Sequence, residues 1–577
     1  MWQRMWRRWI AIGVLTAFTL SISACTADNP KHTPEPELEL ELELSMQEYV
    51  EAMQPGWNLG NAFDSVGLGG VDETAWGNPP VTRELIAAIA DQGFRSIRIP
   101  ITWETKLGPA PDYLVDSRFM ARIEEVVNWA LDEELYVMIN LHHDSWRWVD
   151  SITEDQEEVL ARFSALWSQI ADRFQDHSTH LMFESINEPF LNISTSDLSL
   201  QPMVDLLNQT FHTIIRASGG KNAKRPLVLP TMHTSSDQQH LDAFQRMLRQ
   251  LDDPYIISTI HYYGYWPFSV NIAGHTTFDR TTLDDIESVM DRLHRTLVSE
   301  GIPVVIGEFG LLGFDQHTGT IEQGEKLKFF EYMIHYTQDK GMTHMLWDNG
   351  QHYNRRTFTW NDPQLYEMMR ASWSGRSATA TTDLIFVRQG VAAQDVRIDL
   401  QLNGRQFTEL TLDGEPLKRN EEYVFHEDGA LMFHAELLRK LTETEQLGVR
   451  AELIAEFDHG APWTFYVISY DTPQLEDSEG TTDSFAIPAT FHGDRLATME
   501  AVYEGGGNAG PHNWTPFKEY GATFEPNDEA SAIILKPAFF DETNDGTIHL
   551  KLHFWSGEVL SYSLTKIGKI VTGTPLK

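Results

Sequence analysis

A chain of 577 residues and 65.9 kDa is longer than one hydrophobic core organises, so a large domain with one or two smaller ones is expected. Its 44 Lys and Arg stand against 84 Asp and Glu, and the net charge of -40 argues against nucleic acid or an anionic membrane surface as partner while leaving a neutral polymer open. The single cysteine excludes an intrachain disulfide, so stability has to come from packing.

The first stretch reads as a secretory signal over residues 1–24: Arg4, Arg7 and Arg8 precede an apolar run, 10–24, that is short for a membrane span. Ser23 and Ala24 before Cys25 resemble a bacterial lipoprotein cleavage box, which would make Cys25 the lipidated first residue of a membrane-anchored, extracellular or cell-surface protein. The alternative is an ordinary signal peptide with an incidental cysteine. Residues 25–45, which contain EPELELELEL, read as an acidic, self-repelling tether.

Between 46 and 374, apolar runs recur with helical stretches between them. Eight runs are visible: GWNLGN (56–61), SIRIPITW (96–103), YVMINLHH (136–143), HLMFESINE (180–188), PLVLPTM (226–232), YIISTIHYY (255–263), PVVIGEFG (303–310) and THMLWDNG (343–350). The pieces between them, such as TRELIAAIADQG with Gly93 as its stop, have helical periodicity. Eight alternations predict an α/β chain folded as a (β/α)8 TIM barrel, and no glycine-rich phosphate loop follows the first strand.

The pattern then changes to period two. Residues 375–473 predict an immunoglobulin-like β-sandwich, with IDLQLNG and FTELTLDG ending in hairpin-type Asn-Gly and Asp-Gly turns. Residues 474–577 predict a second β-sandwich, entered through a linker, QLEDSEGTTDS (474–484), and containing a hairpin, TIHLKLHFW to VLSYSLTKI, across a Ser-Gly turn.

Two runs end in a carboxylate, Glu188 in NEP and Glu308 in GEFG. The C-terminal ends of barrel strands carry the chemistry of such folds, and two facing carboxylates can serve as acid/base and nucleophile on a glycosidic bond. A lone glutamate at a strand end is more often a surface or paired residue, so the reading rests on the pair. His261 and Tyr263 share one face of their strand because they stand two residues apart. The histidines lack the spacing of a hydrolytic zinc site, so neither metal nor other cofactor is expected.

The ordered motifs GWNLGN, IRIP, NLHHD, NEP, HYYGYWPF, GEFG and WDNG make residues 46–374 similar to family 5 glycoside hydrolases, most closely those acting on cellulose, mixed-linkage glucan and xyloglucan. The resemblance implies a retaining endo-β-1,4-glucanase with Glu188 as general acid/base and Glu308 as nucleophile. It also implies that Asn187 binds the sugar 2-hydroxyl, that Arg98 lies under the nucleophile, and that His142 and His261 line the glycone subsite. Tyr263 would hydrogen-bond the nucleophile and Trp347 would form the platform at the cleaved bond. His143, Asn61 and Trp266 are further substrate-binding candidates, whereas Trp103, Trp146 and Trp148 read as core. The last two blocks resemble an immunoglobulin-like module and a family 46 carbohydrate-binding module, with Trp514, Tyr520 and Trp555 as candidate sugar contacts; sandwich core is the competing reading for Trp555. The expected partner is a β-glucan, and the protein is expected to be a monomer. A mannanase or xylanase on the same barrel, or a noncatalytic glucan-binding surface protein, are the alternatives.

Overall fold

The computed structural model describes residues 44–191 and 198–576. The leader, Cys25 and the tether up to residue 43 lie outside the described residues. Eight parallel strands close into a barrel in chain order: β1 (Gly56–Asn58), β2 (Ser96–Ile99), β3 (Tyr136–Asn140), β4 (Leu181–Glu184), β5 (Leu227–Pro230), β6 (Ile256–Tyr262), β7 (Val304–Phe309) and β8 (Thr343–Leu346). Closure is direct, since Gly56 pairs with Ser96 on one side and Met345 on the other. The chain is thus a TIM barrel followed by all-β sheets, the expected fold class.

Each barrel strand lies inside one of the eight apolar runs because strands covered on both faces need apolar residues throughout. Amphipathic helices cover the outside. Side chains capping their first turns include Thr82 before Arg83–Asp91, Asp116 before Ser117–Asp132, Asp155 before Gln156–Phe174 and Glu322 before Gln323–Asp339. Inside the barrel, Met138, Met182, Val228, Ile257, Val305 and Met345 form an apolar plug. It is closed from below by Tyr49, Val50 and Met53 of the N-terminal helix and its cap. Ser45, read from sequence as the end of the tether, instead N-caps that helix in a reciprocal capping box with Glu48.

The polar side chains sit one layer higher. Asn140 and Glu184 stand two residues beyond Met138 and Met182, so the alternation that buries the methionines aims them into the barrel just under its C-terminal mouth. Asn58 and Arg98 join them from β1 and β2, all four fully buried.

The middle module has two sheets, one ordered Thr379–Ala380, Val396–Gln401, Ala430–Phe433, Tyr423–Phe425 and one built around Trp463–Tyr470 and Gly448–Phe457. Here the Asn-Gly expectation is corrected. Asn403 and Gly404 take the expected positive φ, but the strand before them lies in one sheet and Phe407–Leu412 in the other, so the turn crosses the sandwich rather than closing a hairpin. Asp413-Gly414 does close one, pairing Leu412 with Glu415. The linker reading of 474–484 is also corrected: Gln474–Leu475 pairs with Phe485–Thr490, and Ser478–Thr481 pairs with Ile570–Leu576. An edge strand needs only backbone partners on one side, so acidic side chains do not prevent it from forming.

The last module has its own apolar core, whereas the middle one shares a continuous cluster with the barrel. Arg376 forks onto Glu331, and Gln364 donates to Tyr466 Oη at 2.8 Å, locking the middle module to the barrel. The last module also reaches the barrel: Asn271 donates to the Ala497 carbonyl at 3.0 Å and accepts from the Tyr520 N–H at 3.2 Å.

Candidate active site

Arg98 is the centre of the site. All five of its N–H groups are bound: Nε and Nη2 to the two oxygens of Glu184 (2.7 and 3.2 Å), Nη1 to Asn58 Oδ1 (3.0 Å) and Glu308 Oε1 (2.6 Å), and Nη2 to Asn187 Oδ1 (2.8 Å). A guanidinium only donates, so the Asn187 oxygen must face it and the Asn187 amide N–H groups are left for the cleft.

Glu308 is almost fully buried at the end of β7. Its second oxygen accepts from the Tyr263 hydroxyl at 2.7 Å. Burial, followed by the charge of Glu308, pushes the Tyr263 phenol well above its ordinary range, so it remains a donor. Gly307 is required beside it, because a Cβ there would stand 2.6 Å from Thr259 Oγ1.

Glu188 follows β4 in a left-handed backbone conformation (φ 35°), uncommon for a residue with a side chain, and its carbonyl is held by Ser145 Oγ at 2.9 Å. Its carboxylate accepts from His261 Nδ1 at 2.7 Å, while the same nitrogen lies 3.5 Å from Glu308 Oε2. Burial raises the Glu188 carboxyl, but the hydrogen bond and charge of His261 outweigh it and the net shift is downward. Burial opposes charge on His261, yet Glu308 and Glu188 pull its pKa above the usual histidine value. The pair therefore holds a proton between Nδ1 and Oε1. One side-chain atom each of Glu188, His261 and Glu308 lies within 4.8 Å of the other two, so the two carboxylates face each other at the close spacing of a direct-displacement pair rather than the wider spacing of an inverting one.

His142 and Trp347 form the opposite wall, with parallel rings 5.8 Å apart. Burial and the nearby His143 and Arg98 charges push His142 well below its ordinary pKa, leaving it neutral, and Asn140 Nδ2 donates to its Nδ1 at 3.2 Å. Gly60 lets the Trp347 ring lie against the loop after β1, since a Cβ at that position would meet the ring at 2.9 Å. Asn61 follows it (φ 54°), its N–H bound to Asp64 Oδ2 at 3.0 Å. His143 Nδ1 donates to the Asp64 carbonyl at 2.9 Å, and burial lowers its pKa to about 4.

The structure thus brings Asn61, Arg98, His142, His143, Asn187, Glu188, His261, Tyr263, Glu308 and Trp347 to one mouth. Trp266 stands further out, 40 % exposed, with its ring 5.5 Å from His512 and 6.4 Å from Trp514 of the last module. Trp514 is 58 % exposed, so the two tryptophans form an open aromatic patch shared by barrel and module.

Two of the module candidates do not join it. Tyr520 is only 6 % exposed, packed in the module core and edge-on to His317 of the barrel, which makes it a seam residue rather than a sugar platform. Trp555 is half-buried in a turn tied to Asp494 through Ser556 and, through Glu558, to Arg388 of the middle module; among the described residues it makes no ring contact with the Trp266 patch.

Sequence reasoning missed other residues. Asn58, Asn140 and Glu184 are polar positions inside apolar runs, a signal in itself, because a buried strand tolerates them only with partners. Trp146, read as core, is 40 % exposed, and with Trp76 it flanks His143 at 4.9 and 5.4 Å. Together with Val66, Leu68 and Arg147 they line a groove of about 690 Å³. Trp103 and Trp148 are buried.

The sequence model of the cellulases of glycosyl hydrolase family 5 matches residues 60–353, that of carbohydrate-binding domain X2 matches 379–467, and that of a family 46 carbohydrate-binding domain matches 471–574. Endoglucanase B of Paenibacillus lautus is 53% identical over 533 residues, covering 92% of this chain and 94% of its own. Endoglucanase A of Ruminococcus albus is 35% identical over 336 residues, 55% of this chain and 89% of its own. The full-length tri-modular endo-β-1,4-glucanase B of Bacillus halodurans superposes with a TM-score of 0.90 at 50% identity, covering 92% of this chain and all of that one (100%). A tri-modular subfamily 4 endo-β-1,4-glucanase of Bacillus licheniformis complexed with cellotetraose superposes at 0.79 and 31% identity, covering 90% and 99% of the two chains. By its barrel motifs, its site and these likenesses, the chain belongs to glycosyl hydrolase family 5 and carries two carbohydrate-binding domains behind the barrel.

Proposed function

We propose that this protein is a retaining endo-β-1,4-glucanase that cuts internal bonds of cellulose, mixed-linkage β-glucan and xyloglucan. The observation that carries the reading is the opposed pair Glu188 and Glu308, with oxygens within 4.8 Å. Carboxyl groups roughly 5 to 5.5 Å apart serve direct displacement, whereas inverting pairs stand about 6.5 to 9.5 Å apart to admit a water.

In the first step a Glu308 oxygen attacks the anomeric carbon, the glycosidic C–O bond breaks, and the leaving oxygen takes a proton from Glu188. Arg98 and Tyr263 hold the two Glu308 oxygens and so aim the attack. The proton for Glu188 comes from its hydrogen bond with His261. Sugar filling the cleft removes water from Glu188 and favours its neutral form. In the second step a water attacks the anomeric carbon of the glycosyl ester, Glu188 accepts its proton, and the ester bond to Glu308 breaks. Asn187 presents N–H donors to the 2-hydroxyl, and Trp347 supplies a stacking face.

The Trp266, His512 and Trp514 patch extends the cleft for polymeric chains, and the groove at Trp76 and Trp146 extends it beyond His143. The leader and Cys25 support secretion with a lipid anchor at a bacterial surface. Reducing-sugar release from carboxymethylcellulose, barley glucan, xyloglucan, glucomannan and xylan, wild type against Glu308→Gln, tests the reading. Cleavage of the β-glucans by wild type alone is expected. Cleavage confined to mannan or xylan, or binding without cleavage by both proteins, would overturn it.

A further inference from the structure

Glu184 is a charged group at the barrel mouth that neither step of the reaction uses, although it binds the same Arg98 as Glu308. It is fully buried at the end of β4, with its oxygens accepting from Arg98 Nε and Nη2 and from Asn140 Nδ2 at 2.8 Å. Arg98 is fully buried too, so its charge depends on protein counterions alone. In the free enzyme it has two, Glu184 and Glu308. In the glycosyl-enzyme the Glu308 carboxylate has become a neutral ester, and one of the two is lost.

We propose that Glu184 is a positioning residue whose charge keeps Arg98 compensated while Glu308 is esterified, so that the transition state for attack does not leave a buried guanidinium unpaired. The proposal rests on Glu308 being the nucleophile. Without the Glu184 charge, Arg98 faces Glu308 one to one. The ground-state carboxylate is then held by the full charge of Arg98, the nucleophile is weaker, and the ester is disfavoured. Removing a partner from a buried ion pair is far more costly than the net worth of the pair, which is why the effect should be large. Glu308 interacts directly with Arg98 on β2, His143 after β3, His261 and Tyr263 on β6 and Asp315 in the loop after β7, while Glu184 and Glu188, on and after β4, are linked to it through Arg98 and His261. Among these, Glu184 is the carboxylate that grips the same guanidinium as Glu308.

The test compares wild type, Glu184→Gln, Glu184→Asp and Glu308→Gln on an aryl β-cellobioside, with cellotriose inhibition as the measure of ground-state binding. Glu184→Gln should lower kcat/KM about 100-fold. Its Ki for cellotriose should stay within about twofold, and the acid limb of its pH profile should move about one unit lower, because a negative charge near Glu308 has gone. Glu184→Asp keeps the charge and should recover at least about tenfold of the loss with the acid limb at its wild-type position. A residue that only holds the barrel together would move Ki and thermal stability without moving the limb. Glu184→Gln near wild-type rate, or both variants equally impaired with unmoved limbs, would overturn the proposal. If Glu184→Gln does not fold, Glu184→Asp decides: activity as low as that of Glu308→Gln overturns it, and retained turnover with an unmoved limb supports it. Activity surviving in Glu308→Gln would sink the nucleophile assignment itself, a separate failure.

Discussion

Replacing Trp514 by alanine removes the more exposed half of the aromatic patch that the last module offers beside the cleft. The ring is 58 % exposed and 6.4 Å from Trp266, so one face is open to a sugar while its neighbours set its orientation. A glucosyl unit stacked on that face covers about 60 to 80 Å² of apolar surface, worth about 1.5 to 2 kcal/mol. Ordering the bound chain offsets about half of this, which leaves about 1 kcal/mol, or about fivefold in KM. The assay is kcat/KM on xyloglucan and barley glucan against an aryl β-cellobioside, with the melting temperature as a control. The polymers should lose about fivefold through KM and the small substrate should lose nothing, because it lacks the further glucosyl units that would stack on the patch. An equal loss on all substrates, or none on the polymers, would refute the idea that the patch belongs to the cleft.

Tyr263→Phe deletes a hydrogen bond to an ionised Glu308, a class worth about 1.5 to 3 kcal/mol, so kcat should fall about 10- to 150-fold while cellotriose still binds; inhibition and turnover measured together check this. Gly60→Ala would place a methyl 2.9 Å from the Trp347 ring and displace the platform, so KM should rise about tenfold with little change in melting temperature. The raised pKa of His261 means the Glu188–His261 pair keeps its proton above the usual histidine value of 6.5 and loses it as pH rises through the folded value. The alkaline limb of kcat/KM should therefore lie above 6.5, and a limb at or below it contradicts the pairing. Linkage also predicts stability. The His261 contribution is full below 6.5 and lost above its folded pKa, and the Glu188 contribution is full above 4.5 and lost below its folded pKa. Chemical denaturation of wild type and His261→Gln should accordingly differ most between pH 4.5 and 6.5.

The barrel was legible in the sequence because strands buried on both faces need uninterrupted apolar runs, and two of those runs, 180–188 and 303–310, carry a glutamate that reaches the mouth. Glu188 and Glu308 could be named for that reason, while the family resemblance singled out Arg98 and His261 and supplied the roles of all four. The edge strands at 474–481 could not, because they are specified by the backbone groups of Phe485–Thr490 and Ile570–Leu576 rather than by their own acidic side chains. The Asn403-Gly404 turn shows the same limit: its dihedral angles are local and were predictable, but which sheet receives the next strand is not.

Aromatic residues mark the boundary most sharply. Trp103, Trp146 and Trp148 look alike in sequence, yet two are buried and Trp146 opens onto the groove beside His143. Trp514 and Tyr520 share one loop, and one meets Trp266 of the barrel while the other closes a seam against His317. By itself the sequence determined the local periodicities, and so the barrel, the two candidate catalytic carboxylates at its strand ends and the all-β character of the two C-terminal modules. Only the tertiary structure decided which side chains share the guanidinium of Arg98, which carboxylate pairs with His261, and which module tryptophan meets the barrel. Those are contacts between residues far apart in the chain, set by strand stagger and module docking, and no short-range pattern encodes them.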